Sequence, residues 1–94
     1  MQVHVNTDNH IEGGERLDRY ITDVVEEMLA HFRQRITRVE VHLHDENGKK
    51  PGVDDKRCVM EARLEGHKPL AASHRGTGVD EVIGEAAQKL RRLI

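Results

Sequence analysis

Seven histidines give this chain most of its capacity for chemistry, and two of them share a spacing that metals use. His42 and His44 stand two apart in an alternating stretch. On a strand both side chains leave the same face and could chelate a metal ion, with His4 joining from a neighbouring strand. No carboxylate or thiolate stands at a workable spacing to complete the set. Exposed strand histidines without a metal are therefore the better reading. Ser73 and His74 are neighbours on a predicted strand, point to opposite faces and cannot form a dyad. Cys58, the single cysteine, falls on the inward side of its run and reads as a small core residue rather than a nucleophile. Gly13-Gly14 lacks the spacing and the lysine of a phosphate-binding loop. Asp45, Glu46, Asp54 and Asp55 flank a turn and could hold a cation loosely, but carboxylates at such turns are usually solvated. These residues predict no catalysis, no bound metal, no cofactor and no small-molecule substrate.

Basic clusters are the other candidates. Arg33, Arg35 and Arg38 sit between the first helix and the second strand. Lys89, Arg91 and Arg92 end the second helix, and Lys56, Arg57 and Arg63 lie on or beside the third strand. Converging, they would make a phosphate-binding surface. Against this, cations at helix C-termini and acids at N-termini, such as Asp80, Glu81 and Glu85, answer the helix dipole in any case. The candidate RNA-binding residues are Lys89, Arg91, Arg92, Arg35, Arg38, Arg57 and Arg63. Aromatic residues are 2% of the chain, and Tyr20 and Phe32 both fall on a buried stripe. With no exposed aromatic to stack on bases, recognition should be of phosphates and folded RNA shape.

The elements that must position these residues follow from periodicity. Gln2 to Asn6 alternates with Val3 and Val5 inward, a short strand. Thr7 to Gly14 is a polar loop. From Glu15 to Phe32 the period is helical, with Leu17, Tyr20, Ile21, Val24, Val25, Met28, Leu29 and Phe32 on one half of the wheel. Ile36 to His44 and Arg57 to Glu65 alternate again. Between them Asn47-Gly48 and Pro51-Gly52 signal turns. Pro69 to Arg75 is a fourth strand, with Pro69 suited to its start. Thr77 reads as an N-cap with Asp80 at the third helical position. Val79 to Ile94 is the second helix. The order β-α-β-β-β-α predicts a single α+β domain over residues 1–94. A four-stranded mixed sheet carries two helices packed on one face, and strands one and two are parallel through a right-handed crossover.

Composition agrees with one small soluble domain. The chain has 94 residues, 34% of them charged, a net charge of -2, no long apolar run and no stretch resembling a signal peptide. No membrane partner and a reducing, cytoplasmic location are expected. The net charge is unusual for a nucleic-acid binder, and the charge is unevenly spread. From Gly13 to Glu27 five acids (Glu15, Asp18, Asp23, Glu26, Glu27) face two arginines.

Several stretches resemble a known family. Arg38-Val39-Glu40-Val41-His42-Leu43 followed by Asp45-Glu46-Asn47-Gly48 is similar to the second strand and loop of the ribosome hibernation-promoting-factor family. Asp55-Lys56-Arg57-Cys58 leading into Met60-Glu61-Ala62-Arg63 is similar to its third strand. Ala86-Ala87-Gln88-Lys89-Leu90-Arg91-Arg92-Leu93 is similar to its basic final helix. The resemblance covers essentially the whole chain. It implies a stress factor that binds the small ribosomal subunit (16S rRNA), occupies the channel used by messenger and transfer RNA, and silences translation. Ending at Ile94, the chain looks like a short member, without the extra dimerisation domain of long members. The acidic first helix departs from the family pattern. It favours the alternative of a protein-interaction or regulatory module without RNA binding, using the open sheet face or an edge. A small metal-dependent enzyme using His42 and His44 is the third and weakest reading.

Overall fold

The structure is a computed structural model that describes residues 1–8, 11, 13–46 and 55–94. Its elements are β1 (Gln2–Thr7), α1 (Glu15–Met28), a single 3-10 turn (Ala30–Phe32), β2 (Ile36–Asp45), β3 (Lys56–Leu64), β4 (Leu70–Gly76) and α2 (Val79–Leu93). The sheet order is β1-β2-β3-β4. The first pair is parallel, with Val5 opposite Val41, and the other two are antiparallel. This is the α+β arrangement that the alternating and helical periods predict.

The inward positions of β2 and β3 meet the helices in one core, with Val3 and Val5 of β1 and Leu70 and Ala72 of β4 half-buried against it. Val39, Val41, Leu43, Cys58, Met60 and Ala62 are fully buried against Ile21 and Val25 of α1, Leu29 beyond it, and Val82, Ile83, Ala86, Ala87 and Leu90 of α2. Leu17, Val24 and Met28 are half-buried against the same cluster. Each large aliphatic side chain buried in this way contributes about 1.5–3 kcal/mol, which is what holds two helices to one face.

Three local details depart from the sequence reading. The helical period runs to Phe32, but α1 ends at Met28 and Leu29 leaves the helix at φ -105, ψ 15. The chain then tightens into the 3-10 turn, in which the Phe32 N–H donates to Leu29 O at 2.9 Å. Both helix types bring residue i+3 back to the same side, so apolar spacing alone does not separate them. Ile36 lies on the outward parity of its strand yet is buried. A bulge between Ile36 and Arg38 shifts the register against β3 and turns Ile36 back into the core. The N-cap of α2 is Gly78 rather than Thr77 and has no side-chain cap. Instead the Glu81 carboxylate, at the third helical position, accepts the Thr77 N–H at 3.3 Å. That carboxylate fills the space where a Cβ at Gly76 would stand, which is why β4 ends in glycine.

The two helices run parallel. Arg16, Leu17 and Tyr20 near the start of α1 share a recess with Asp80 at the start of α2. Val24, Glu27 and Met28 at the end of α1 share another with Arg91 at the end of α2. Both C-termini therefore lie at the end of the sheet where β2 begins and where the β3–β4 turn lies.

Candidate nucleic-acid interface

The sheet face away from the helices carries Gln2, His4 and Asn6 from β1, Arg38, Glu40, His42 and His44 from β2, Arg63, Glu61, Val59 and Arg57 from β3, and Ala71, Ser73 and Arg75 from β4. The register stacks Arg38 beside Arg63 at one end and Arg57 beside Arg75 at the other. Acids answer both groups. Arg38 and Arg63 each lie 3.8 Å from Glu40, and Arg63 Nε is 3.2 Å from Glu61. Arg57 and Arg75 share Glu46, at 3.4 and 2.9 Å. Of the sequence candidates, then, Arg38, Arg57 and Arg63 are locally neutralised, and the face as a whole is a mixed-charge surface. Exposed pairs of this kind exchange partners at little cost, so they remain able to meet phosphate but do not draw it.

The three cations of α2 leave the helix on three sides. Lys89 reaches sideways over β4, and its Nζ donates to Ser73 O at 3.1 Å. Arg91 lies on the α1 side, beside Glu27 and Met28. Arg92 is exposed on the outer side. Arg35 lies close to the end of the same helix. A recess of about 410 Å³ is lined by Arg35, His67, Lys68, Leu93 and Ile94, with Leu64 and Leu70 at its floor. Among the described residues, Arg35, Lys68, Arg91 and Arg92 make no ion pair of 4 Å or less, whereas Arg33 is held by Glu26 at 3.2 Å. The structure thus brings Arg35 together with the end of α2, adds Lys68, and leaves Arg38, Arg57 and Arg63 on a different surface. Lys68 escaped the sequence reading. It precedes Pro69 in the turn between two strands, and only the topology shows that this turn closes over the C-terminus of α2.

Several other expectations change. Tyr20 is 40% exposed at the lip of the recess beside Arg16 and Asp80, so one aromatic ring does reach solvent. Asp45 and Asp55 are not solvated turn carboxylates. Both are buried, and Lys56 Nζ lies 3.5 and 3.1 Å from them. Burial pushes the Asp55 carboxyl up, but hydrogen bonds, first that from Lys56, hold it below its ordinary value. Lys56, one of the basic cluster, is therefore the counter-ion of a structural pair. Asp54 and the turn signals at Asn47-Gly48 and Pro51-Gly52 lie outside the described residues. His44 Nδ1 stands 3.9 Å from Asp8. Among the described residues no three of His, Cys, Asp and Glu are grouped to hold a metal. Burial raises the Cys58 thiol to about 12, a value at which it is not a nucleophile. Ser73 and His74 face opposite sides of β4. No helix among the described residues is long and apolar enough to cross a membrane.

Solved structures, 21 chains among them, share this fold. A ribosomal subunit interface protein from Coxiella burnetii superposes with a TM-score of 0.68 at 14% identity, covering 99% of this chain and 92% of that one. The N-terminal domain of Thermus thermophilus Protein Y superposes with a TM-score of 0.63 at 16% identity, covering 98% and 90%. No curated protein matches the chain in sequence. The family model described as "Sigma 54 modulation protein / S30EA ribosomal protein" matches residues 4–94, essentially the entire fold, and the chain therefore belongs to that family of hibernation-promoting factors.

Proposed function

We propose that this protein is a ribosome-binding stress factor that occupies the RNA channel of the small subunit through 16S rRNA and silences translation without catalysing a reaction. The observation that carries the reading is the basic end of the molecule, where Arg35, Lys68, Arg91 and Arg92 gather without acids paired to them among the described residues. Membership of a family whose structural relatives include a ribosomal subunit interface protein supports it. The cytoplasm is the compartment that this role requires. Unneutralised cations at one end suit phosphate contact, while the paired arginines of the sheet face can rearrange onto RNA as secondary contacts.

The test is co-sedimentation with isolated small subunits over a salt series. Each phosphate neutralised adds about 0.7–0.9 to the slope of log affinity against log salt. Arg91→Ala with Arg92→Ala weakens binding and flattens the slope, and Arg35→Ala with Lys68→Ala does the same. Folding stays intact, because surface changes of this kind are usually within about 0.5 kcal/mol. Equal binding with equal slope for both pairs, or binding to the large subunit alone, would refute the proposal.

A further inference from the structure

The recess at the basic end holds more than charge. It is built by the turn between β3 and β4. Gly66 takes φ 77, a left-handed conformation that favours glycine, and the His67 N–H donates to Leu64 O at 3.2 Å. The chain so reversed carries His67 and Lys68 towards the end of α2. The Glu65 N–H donates to Arg35 O at 3.4 Å, which keeps Arg35 beside the turn. Between these cations lie Leu64, Leu70 and Leu93. Leu64 is 7% exposed and closes the floor, whereas Leu93 is 52% exposed and offers its apolar side chain at the rim. Among the described residues Glu65, the acid of the turn, makes no ion pair of 4 Å or less with Arg35 or Lys68.

An occupant of this recess needs an anionic group for Arg35 and Lys68 and an apolar surface for the leucines. A paired RNA helix meets only the first demand, because its bases are stacked inside and it presents phosphates, sugars and polar base edges. An unpaired nucleotide turned out of the stack meets both. Its phosphate lies on the cations, and the face of its base lies on the leucines. A recess of about 410 Å³ is in the size class that takes a small organic group. The neighbouring phosphates of the same strand run towards Arg91 and Arg92, which make no ion pair among the described residues. That continuity of cations beyond the recess favours a polyanion over a single carboxylate. Tyr20 lies at the opposite end of the helix pair, so contact with the base here rests on aliphatic side chains and the plane of the Arg35 guanidinium.

We propose that this recess takes one unpaired nucleotide of RNA, with its phosphate between Arg35 and Lys68 and its base against Leu70 and Leu93. The proposal rests on the reading of the basic end as an RNA contact and adds a selection to it: looped or bulged RNA is preferred there over duplex.

The probes are a labelled RNA hairpin with a pyrimidine loop and a fully paired duplex with the same number of phosphates. Binding to the whole chain is read by fluorescence anisotropy over a salt series and by the chemical shifts of leucine methyl groups. A base laid on a methyl group moves its resonance upfield through the ring current, which a phosphate does not do. Expected are upfield shifts of Leu70 and Leu93 with the hairpin and none with the duplex, and a preference for the hairpin of about tenfold. Leu93→Ser changes an exposed residue and no charge, so it removes most of that preference and leaves duplex affinity and salt slope unchanged. Arg35→Ala with Lys68→Ala weakens binding of both RNAs and flattens both slopes. The methyl shifts are read on the unaltered chain and decide the matter should a variant misfold. Equal affinity for the two RNAs with unmoved leucine methyls overturns the proposal and leaves the basic end an RNA contact, whereas binding of neither RNA overturns both. Stronger shifts of the same methyls by uridine monophosphate, or by a peptide of alternating aspartate and leucine, give the recess to a free nucleotide or a protein segment and overturn the proposal as well.

Discussion

Gly84 lies in the interior of α2, half-buried on the side facing α1, and a Cβ built on it meets no atom within 4 Å. Its backbone is helical, so alanine fits without strain. The gain from Gly84→Ala is then the helix propensity difference of about 0.8–1.0 kcal/mol, most of it from reduced freedom of the unfolded chain. An unfolding entropy of about 2.1 cal/mol/K per residue gives about 0.2 kcal/mol/K for a chain of this size, so the melting temperature should rise by about 4–5 °C. Gly76→Ala is the internal control. There the new Cβ runs into the Glu81 carboxylate, which must swing away and release the Thr77 N–H. Losing that capping bond costs about 1 kcal/mol, and the melting temperature should fall by about 5 °C. Thermal unfolding followed by circular dichroism reads both. A neutral or destabilised Gly84→Ala would mean that the furrow between the helices is closed at that point. An unchanged Gly76→Ala would mean that Glu81 does not hold the start of α2.

Other expectations follow from the core and the buried pair. Met60→Ala, at a fully buried position between sheet and helices, should destabilise by about 2–5 kcal/mol in chemical denaturation. Asp55 is held below its ordinary value of 3.8, so its contribution is present above that pH and is lost as pH falls through the lowered value. Lys56→Gln should move the acid limb of the stability curve to higher pH, since burial then acts on Asp55 against only its remaining backbone and Asp45 hydrogen bonds. A curve that does not move would show that the pair is not coupled to folding. Cys58 should resist thiol reagents in the native protein at neutral pH and react once denaturant is added, and rapid labelling without denaturant would contradict its burial.

The periods of the sequence made the order of elements and the inward face of each strand legible, because a half-buried strand and a one-sided helix each write their burial into the spacing of Val, Leu and Ile. Ile36 was out of step because a bulge is a property of two strands, and its partner Leu64 is distant in sequence. Tyr20 sits at the margin of the α1 stripe, and the distance to α2, not the wheel, decides that its ring stays in solvent. The candidate site was legible only as a set of charges. Which cations are free depends on where Glu40, Glu46 and Glu61 fall after the strands pair. That separates Arg35 from Arg38, three residues away, and it joins Arg35 to Lys68 across the end of the sheet.

The parallel course of the helices has a consequence for how the molecule approaches a charged target. Glu15, Asp18, Asp80 and Glu81 lie at the end where both helices begin, and Arg91 and Arg92 at the end where α2 stops, with Arg35 and Lys68 beside it. These side-chain charges of opposite sign lie at opposite ends of the helix pair, while Arg57 and Arg75, which lie at the acidic end, are both answered by Glu46. In the field of a polyanion such a molecule experiences a torque as well as a force. The torque turns the basic end forward at distances where the net charge of -2 alone would repel it. Encounter would be oriented before any contact forms. Moving the same fifteen lysines and arginines to random surface positions would leave composition and net charge unchanged and would remove that alignment.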